Sequence, residues 1–475
     1  MKKSLLLFIF LTLGFSLAGE TNEKIIKGDS RFEEFDSYLK EIKKAYHIPG
    51  IAFIVTDSEE TLYSKNLGQC TSLDQQFFIG SMSKSFTALS VMQLVEKGLI
   101  NLEDDISVYL PEYKFEKTVS IRQLLNHTSG FDTHARFSDF KITESYGKYE
   151  YANINYDLLG KIIEKVSGKS YEDYVAENIF SPIGMKNSNA KAISLKTSSK
   201  LLKGNRNYFG FFKQGEADYP VENSWFHEPA GYIASTPHDY EKYLRMYLNG
   251  GLTEKGERII KKETIDSMWY ENVSLGVSEY DAYYGKGWNY MNYDGQKLVF
   301  HGGQVENGIT YMFILPEKKL AVCFMINAND YFGTTSLMNN AVWNSLAILK
   351  GNSPEKVNHA SYILIHLFLN LIYFAMLALS CFMLIKAIVS KHNKAEKQEI
   401  KKVRRVIGII LNILGYVVWP VFLLTFTKAL INTPLWVVKS YVPDFYCIIW
   451  LSAFLAVAGG IIKLFLYFFS AAEKR

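Results

Sequence analysis

Residues 77–95 read FFIGSMSKSFTALSVMQLV, and Lys84 is the only ionisable side chain among them. Removing an ammonium from water disfavours its charged form, so a lysine placed this way needs polar partners or serves as a base. Ser81 stands three residues before it. On a helix, positions i and i+3 share a face roughly 5–6 Å apart, close enough for the amine to reach the hydroxyl and take its proton. The same Ser-x-x-Lys spacing recurs at Ser37/Lys40, Ser138/Lys141 and Ser353/Lys356. Those pairs sit in charged or loop-like surroundings where a lysine is simply solvated, whereas Ser81 follows a glycine at the mouth of an apolar helix. Ser81 and Lys84 are therefore the candidate nucleophile and base.

Strand and helix signals alternate on either side of this run. Upstream, SRFEEFDSYLKEIKKAYHIPG (30–50) places Phe32, Phe35, Leu39, Ile42 and Tyr46 at helical spacing, and Ser30 with Glu33 forms a capping-box pattern. The next segment, GIAFIVTDSEETLYSKNLG (50–68), alternates around a turn as a hairpin does. Gly98 is placed to close the helix of Ser81. A polar middle section of helices and loops follows. Strand patterns then return: residues 287–290 and 297–300 flank an Asp294-Gly295 turn, and 309–315 and 320–327 flank residues 316–319. Strands at both ends with helices between predict an α+β domain over residues 30–350. Its antiparallel sheet is assembled from both termini, is flanked by helices and carries a helical subdomain, with a site where the two lobes meet.

The ends of the chain differ from this middle. Residues 1–18 read as a secretory signal, with Lys2 and Lys3 ahead of an apolar run and small residues before a cleavage point near Gly19. After about His359 the composition turns apolar, and residues 361–385, 406–426 and 445–469 each have about the length a bilayer core requires. Between the first two lies KAIVSKHNKAEKQEIKKVRR (386–405), whereas the loop at 430–444 carries little positive charge. The positive-inside rule places the basic loop in the cytoplasm and the 30–350 domain outside. The predicted location is the plasma membrane, multi-pass, with an extracellular domain. His366, Asn370 and Lys463, in or beside the spans, read as helix-contact or interface residues.

Of the four cysteines, Cys381 and Cys447 fall in the apolar tail, so a disulfide framework is not indicated. No paired His/Cys spacing suits zinc, and the net charge of +4 is too slight and too localised to indicate nucleic acid. No metal or cofactor is expected.

Two further segments carry acyl-transfer chemistry. Tyr151-Ala152-Asn153 offers a phenol for proton shuttling and an amide for a substrate carbonyl. His301-Gly302-Gly303 follows a strand and offers an imidazole beside backbone that can lie close to a substrate. Taken in order, Ser-x-x-Lys, Tyr-x-Asn and a late His-Gly-Gly resemble the class C beta-lactamase and D-alanyl-D-alanine peptidase family of serine hydrolases. The connecting segments GLINLEDDISVYLPE, VSIRQLLNHTSGF, YANINYDLLGKIIEKVSGKSYEDYVAENIFSPIGM and PAGYIASTPHDYEKYLRMYLNGG extend that likeness from about Arg31 to about Asn327. The resemblance implies a serine beta-lactamase-like fold in which Ser81 forms an acyl-enzyme. It implies that Lys84 and Tyr151 manage the proton and Asn153 orients the substrate amide. It also implies an oxyanion hole made by the N–H groups of Ser81 and of Gln304, the residue after Gly303, with His301 positioning Tyr151 or the substrate. The His127-Thr128-Ser129-Gly130 segment reads as structural. One departure from the class C pattern stands out: those enzymes carry a lysine where this chain has His301, which is mostly neutral near pH 7 and cannot hold a substrate carboxylate in the same way.

With three spans, the chain resembles two membrane-bound groups of that family. One comprises penicillin-binding-protein-like proteins of Gram-positive bacteria acting on the cell envelope, on D-alanyl peptide or ester bonds. The other comprises peptidases that remove a D-amino-acid prodrug cap from exported non-ribosomal peptides. The expected function is the first, with a peptide or ester substrate at the outer face of the bilayer. The prodrug peptidase is one alternative, and a non-turnover acylated receptor is another. The segment at 207–227, rich in aromatics, is a candidate pocket wall, and Glu222 and Glu228 are candidates to meet a substrate amine.

Overall fold

The alternating run after residue 50 and the late strand runs are completed by one another. The computed structural model describes residues 25–276, 281–293, 295–389 and 402–472, so the predicted leader at 1–18, the Asp294 half of its turn and most of the basic loop lie outside the described residues. The described residues form two compact units, one made of Asn207–Phe211 with the helices from His359 onward, the other of the remainder.

In the larger unit, β1 (Gly50–Thr56) and β2 (Thr61–Gly68) make the expected hairpin. Two short pieces, β3 (Phe77–Phe78) and β6 (Ala234–Ser235), pair with each other, and a three-stranded sheet holds β13 (Ala328–Asn329), β4 (Asn205–Tyr208) and β5 (Phe211–Gln214), the facing ends of the last two, Asn207–Phe211, being counted with the smaller unit. The main sheet adds β7 (Val273–Ser274), β8 (Ala282–Tyr284), β9 (Asn289–Tyr293), β10 (Gln296–Val305), β11 (Gly308–Leu315) and β12 (Leu320–Ile326), in the order β2-β1-β12-β11-β10-β9-β8-β7. N- and C-terminal strands therefore meet at β1 and β12, with Phe53 opposite Phe324. Both strands are buried along their whole length, as a sheet covered on two faces requires.

The helix Ser83–Glu96 is the centre of this unit. Every residue from Ser83 to Leu94 is buried, which suits a helix apolar all round. Its polar side chains are satisfied locally: Ser85 Oγ donates to the Met82 carbonyl at 2.8 Å and Ser90 Oγ to the Phe86 carbonyl at 2.9 Å. Phe86 stacks on Tyr243 with ring centroids 4.0 Å apart, joining the helix to Pro237–Leu248. Gly98, at φ +68°, follows its end as expected.

The first helix, Arg31–Ala45, corrects one expectation. Ser30 makes no side-chain cap, because Asp29 takes that place and accepts from the Arg31 N–H at 2.9 Å. A carboxylate on a freer preceding residue competes successfully for the same unpaired donors.

In the smaller unit, three helices are long and apolar enough to cross a membrane: Tyr362–Val389, Val406–Ile431 and Pro443–Leu466. The second carries a π-type turn at Leu414–Val418, just ahead of Pro420. A proline has no N–H and its ring crowds the carbonyl four residues back, so a wider turn there relieves both problems. Gly459 and Gly460 let the third helix approach the ring of Tyr416, whose hydroxyl donates to the Met383 carbonyl at 2.7 Å. Lys463 is a helix-contact residue, donating to Asn412 Oδ1 at 2.6 Å.

Candidate active site

Ser81 sits in a single tight turn, Gly80–Met82, between β3 and the buried helix. That turn is fixed from three sides. The Ile79 N–H donates to the Ile233 carbonyl at 2.9 Å, Ser83 Oγ accepts from the Ile233 N–H at 3.1 Å, and Thr310 Oγ1 donates to the Ile79 carbonyl at 2.7 Å. The serine itself keeps partial exposure while its neighbours Gly80 and Met82 are buried.

Lys84 is fully buried and has three oxygen neighbours. Nζ lies 2.7 Å from Asn153 Oδ1, 2.7 Å from the Ala230 carbonyl and 3.1 Å from Ser81 Oγ. Burial pushes the ammonium well below its ordinary pKa, with the nearby Asp157 carboxylate acting in the opposite direction. A neutral amine has two hydrogens and one lone pair. The two short contacts are to atoms that only accept, so they take both hydrogens. The lone pair is then left facing the Ser81 hydroxyl, which is the arrangement of a general base.

Tyr151 is the second titratable side chain beside Ser81. Burial raises its phenol above the usual range, while its hydrogen bond to Ser81 acts the other way. The phenol thus stays protonated at neutral pH, and Tyr151 is suited to pass a proton rather than to begin as the base. Lys84 Nζ stands 4.7 Å from its ring centroid.

Asn153 opens the helix Asn153–Ser167, and His127 holds the strand-like residue before it. The imidazole of His127, at φ +56°, accepts at Nδ1 from the Ala152 N–H at 3.2 Å, lies 3.0 Å from Asn155 Nδ2 and stacks 4.4 Å from Tyr151. The His-Thr-Ser-Gly segment is therefore a brace for the Tyr151–Asn153 corner, in line with its structural reading.

The backbone of β10 lies against the serine turn. Gly80 has φ +54°, and a Cβ there would stand 2.2 Å from the Gln304 nitrogen; a Cβ on Gly303 would stand 1.9 Å from the Ile79 oxygen. Only glycines permit this approach, which brings the Ser81 and Gln304 backbones together. The Gln304 side chain is directed away, donating to Asn329 Oδ1 at 2.9 Å.

His301 turns toward Tyr284 and reaches Tyr151 only through that ring. Its Nδ1 lies 2.7 Å from the Gly302 carbonyl and must carry the hydrogen, so Nε2 accepts from the Tyr284 hydroxyl at 3.1 Å. Burial, and then the nearness of Lys84, which disfavours a second cation, lower its pKa to about 3. The imidazole is neutral and engaged with Tyr284, which in turn packs edge-on to Tyr151 at 6.2 Å.

Three contributors escaped the sequence reading. Ala230 acts through a backbone oxygen, Tyr284 lies on a distant strand, and Gly160 admits Pro229, against which a Cβ would stand 2.3 Å away. That contact seats the Glu228–Tyr232 turn, whose carbonyls serve Lys84 and, through Pro229, Thr87 Oγ1 at 2.7 Å. Only the quoted Pro-Ala-Gly triplet hinted at this. The aromatic segment divides: Gln214–Ala217 and Tyr219 help line a cavity of about 250 Å³ with Phe77, Phe78 and Val305, while Phe226 stacks on Tyr232 and Trp225 Nε1 donates to the Thr133 carbonyl. None of Ser81, Lys84, Tyr151 and Asn153 lines that cavity. Glu228 is engaged, accepting from the Ala192 N–H at 3.1 Å.

Comparison with known proteins identifies the family and the fold. The family described as Beta-lactamase matches residues 35–344. Protein flp of Staphylococcus aureus (strain NCTC 8325 / PS 47) is 24% identical over 368 residues, covering 69% of this chain and 70% of that protein. The putative penicillin-binding protein PbpX of Bacillus subtilis (strain 168) is 32% identical over 184 residues, 34% of this chain and 46% of that one. Among solved structures, the octameric penicillin-binding protein homologue from Pyrococcus abyssi superposes with a TM-score of 0.59 at 28% identity, covering 68% of this chain and 78% of that one. The D-amino acid amidase from Ochrobactrum anthropi SV3 gives a TM-score of 0.57 at 23% identity, covering 68% and 99%, which is a likeness of fold.

Proposed function

The chain belongs to the beta-lactamase family, and from that premise we propose that it is a membrane-anchored serine hydrolase with its site outside the cell, forming an acyl-enzyme on Ser81. The observation that carries the proposal is the set of contacts around Lys84: two acceptors consume its hydrogens and its lone pair is left to the Ser81 hydroxyl. Lys84 takes the hydroxyl proton as Ser81 attacks a substrate carbonyl. Tyr151, kept protonated, relays a proton to the leaving group, and Asn153 holds the substrate amide. The Ser81 and Gln304 N–H groups stabilise the oxyanion, a contribution that typically amounts to about 10²–10³ in rate.

Substrates of the cell envelope with D-alanyl peptide or ester bonds fit best. A domain tethered by three spans meets substrates of the same surface at raised effective concentration. Within that class, the neutral, engaged His301 supports a preference for D-alanyl esters over D-alanyl-D-alanine stems, whose carboxylate next to the scissile bond would meet no cation at that position.

The test is intact-mass spectrometry of the full chain in detergent with a fluorophosphonate and with a penicillin. Wild type is expected to gain one adduct, Ser81→Ala none, and Lys84→Ala the same adduct about 10²–10⁴ times more slowly, the usual worth of a general base. A penicillin adduct that decays marks turnover of a beta-lactam; one that persists fits a peptidase inhibited by penicillin as well as a receptor, and turnover of a D-alanyl peptide or ester then separates those two. Folded wild-type protein that gains no adduct from either reagent sinks the acyl-enzyme mechanism.

A further inference from the structure

Two polar side chains of the apolar helices have partners that helix packing does not account for. Asn370 lies within the span Tyr362–Val389 and Asp444 at the head of the span Pro443–Leu466. Polar groups at such positions are costly unless paired. Both turn to one residue: Asp444 Oδ2 accepts from the Phe209 N–H at 2.8 Å, and Asn370 Nδ2 donates to the Phe209 carbonyl at 3.0 Å. Two different spans thus satisfy the donor and the acceptor of a single non-helical residue.

The neighbours of Phe209 follow the same helix. Asn207 Nδ2 donates to the Tyr362 hydroxyl at 3.1 Å, and Gly210, at φ +93°, lies so close to His366 that a Cβ would stand 3.1 Å from its ring. Phe209 meets Tyr373 edge-on at 6.1 Å, and Tyr373 stacks on Phe445 at 4.9 Å. From residue 362 to residue 373 is ~16 Å of helix axis at the usual rise. The whole 28-residue span is ~42 Å long by the same rise, against ~30 Å of hydrocarbon. Its first turns therefore stand among headgroups, and Phe209 reaches the level at which hydrocarbon begins. Irregular backbone is tolerated at that depth only where protein groups replace water, which is what Asn370 and Asp444 do. The rings presented there are open: Phe209 is 42% and Phe211 78% exposed.

We propose that Asn207–Phe211 is a membrane-embedded loop. It lodges at the boundary between headgroups and hydrocarbon of the outer leaflet, latched by Asn370 and Asp444, and its partner is lipid, with Phe209 and Phe211 against acyl chains. The proposal rests on the bilayer anchoring proposed above, and its test separates the two.

The full chain is placed in phosphatidylglycerol and phosphatidylethanolamine nanodiscs with Cys381→Ala, and a nitroxide is attached at Phe211→Cys, at native Cys447 in the third span, or at Ile193→Cys on the exterior of the larger unit. Cys447 is replaced by Ala in the first and last cases, and the unlabelled background from buried Cys70 and Cys323 is subtracted. Collision with oxygen against collision with a water-soluble nickel chelate reports lipid or water. The expected oxygen-to-nickel ratio at 211 is several-fold above that at 193 and close to that at 447. Asn370→Leu is expected to lower the ratio at 211 toward the 193 value while leaving 447 unchanged. A water-like ratio at 211 beside a lipid-like ratio at 447 overturns the loop and leaves the anchoring intact. Water-like ratios at both sites overturn the anchoring and the loop together. No response to Asn370→Leu overturns the latch.

Discussion

At Lys84 the balance of burial and pairing has a kinetic signature. A solvated lysine titrates near pH ~10.4, so its base form, and any rate depending on it, would rise roughly tenfold per pH unit from about pH 7 to 10. Here burial outweighs the Asp157 carboxylate and moves the amine well below that range. Activity needs the neutral amine, so the rate rises with pH through the lowered pKa and is flat above it. Tyr151 is still protonated there, because burial raises its pKa. Acylation by a neutral aryl ester, followed from about pH 8 to 10, is expected to be constant; a tenfold rise per unit would show an ordinary lysine. Asp157→Asn removes the charge that favours the ammonium, so its acid limb is expected at lower pH than in wild type. The same variant removes one of the two acceptor oxygens that hold the His227 backbone and ring, and so also tests the turn that presents Ala230. Ser81, Lys84, Tyr151 and Asn153 were legible because each is a side chain in a short spaced pattern. Ala230 was not, since a carbonyl 146 residues away from Lys84 leaves no mark on residue type.

At the scale of elements, the site depends on two backbones meeting with no side chain between them. The turn at Gly80 and the strand β10 touch at Gly80 and Gly303, and Ile79, between them, already accepts from Thr310. Gly303→Ala puts a methyl 1.9 Å from a carbonyl oxygen that is itself held, so β10 must move. Overpacking of this kind costs about 1–3 kcal/mol, and a displacement of about 1 Å at reacting groups costs about 10² in rate. Gly303→Ala is therefore expected to lower the melting temperature by several degrees and the acylation rate by about 10² or more. Gly98→Ala is the contrast: it also needs positive φ, +68°, but meets open space. It is expected to cost about 1–2 kcal/mol of strain and to leave acylation unchanged. Differential scanning fluorimetry and the fluorophosphonate rate read both variants. The strands and the buried helix were legible from periodicity, and the Gly-Gly pair pointed to close backbone approach. The pairing of His301 with Tyr284 was not, because it depends on how β8 and β10 lie across β9, a non-local register that alternation alone does not set.

For the whole molecule, the distribution of charge along the apolar tail makes a definite topological prediction. The 386–405 loop is dense in lysine and arginine while the segment at 430–444 is not, and lysine and arginine near span ends are retained on the cytoplasmic side. Three spans then leave the larger unit and the second loop outside. A membrane-impermeant maleimide on intact cells is expected to label Asn432→Cys and not Asn393→Cys, with Asn393→Cys labelled after permeabilisation, in a Cys381→Ala, Cys447→Ala background. The opposite pattern would put the hydrolase unit inside and remove cell-envelope substrates from reach. This scale was the most legible of the three for the spans, since apolar length is a property of composition, and the least legible for what lies beside them. Asn370 and His366 read only as contact residues, because what they contact, Phe209 and Gly210, stands more than 150 residues earlier in the chain. The labelling result also bears on the embedded loop. Asn432 closes the second span and Asp444 opens the third, at the two ends of one connecting loop, so external labelling of the first places the Asp444 latch, and the aromatic rings it holds, in the leaflet that faces the proposed substrates.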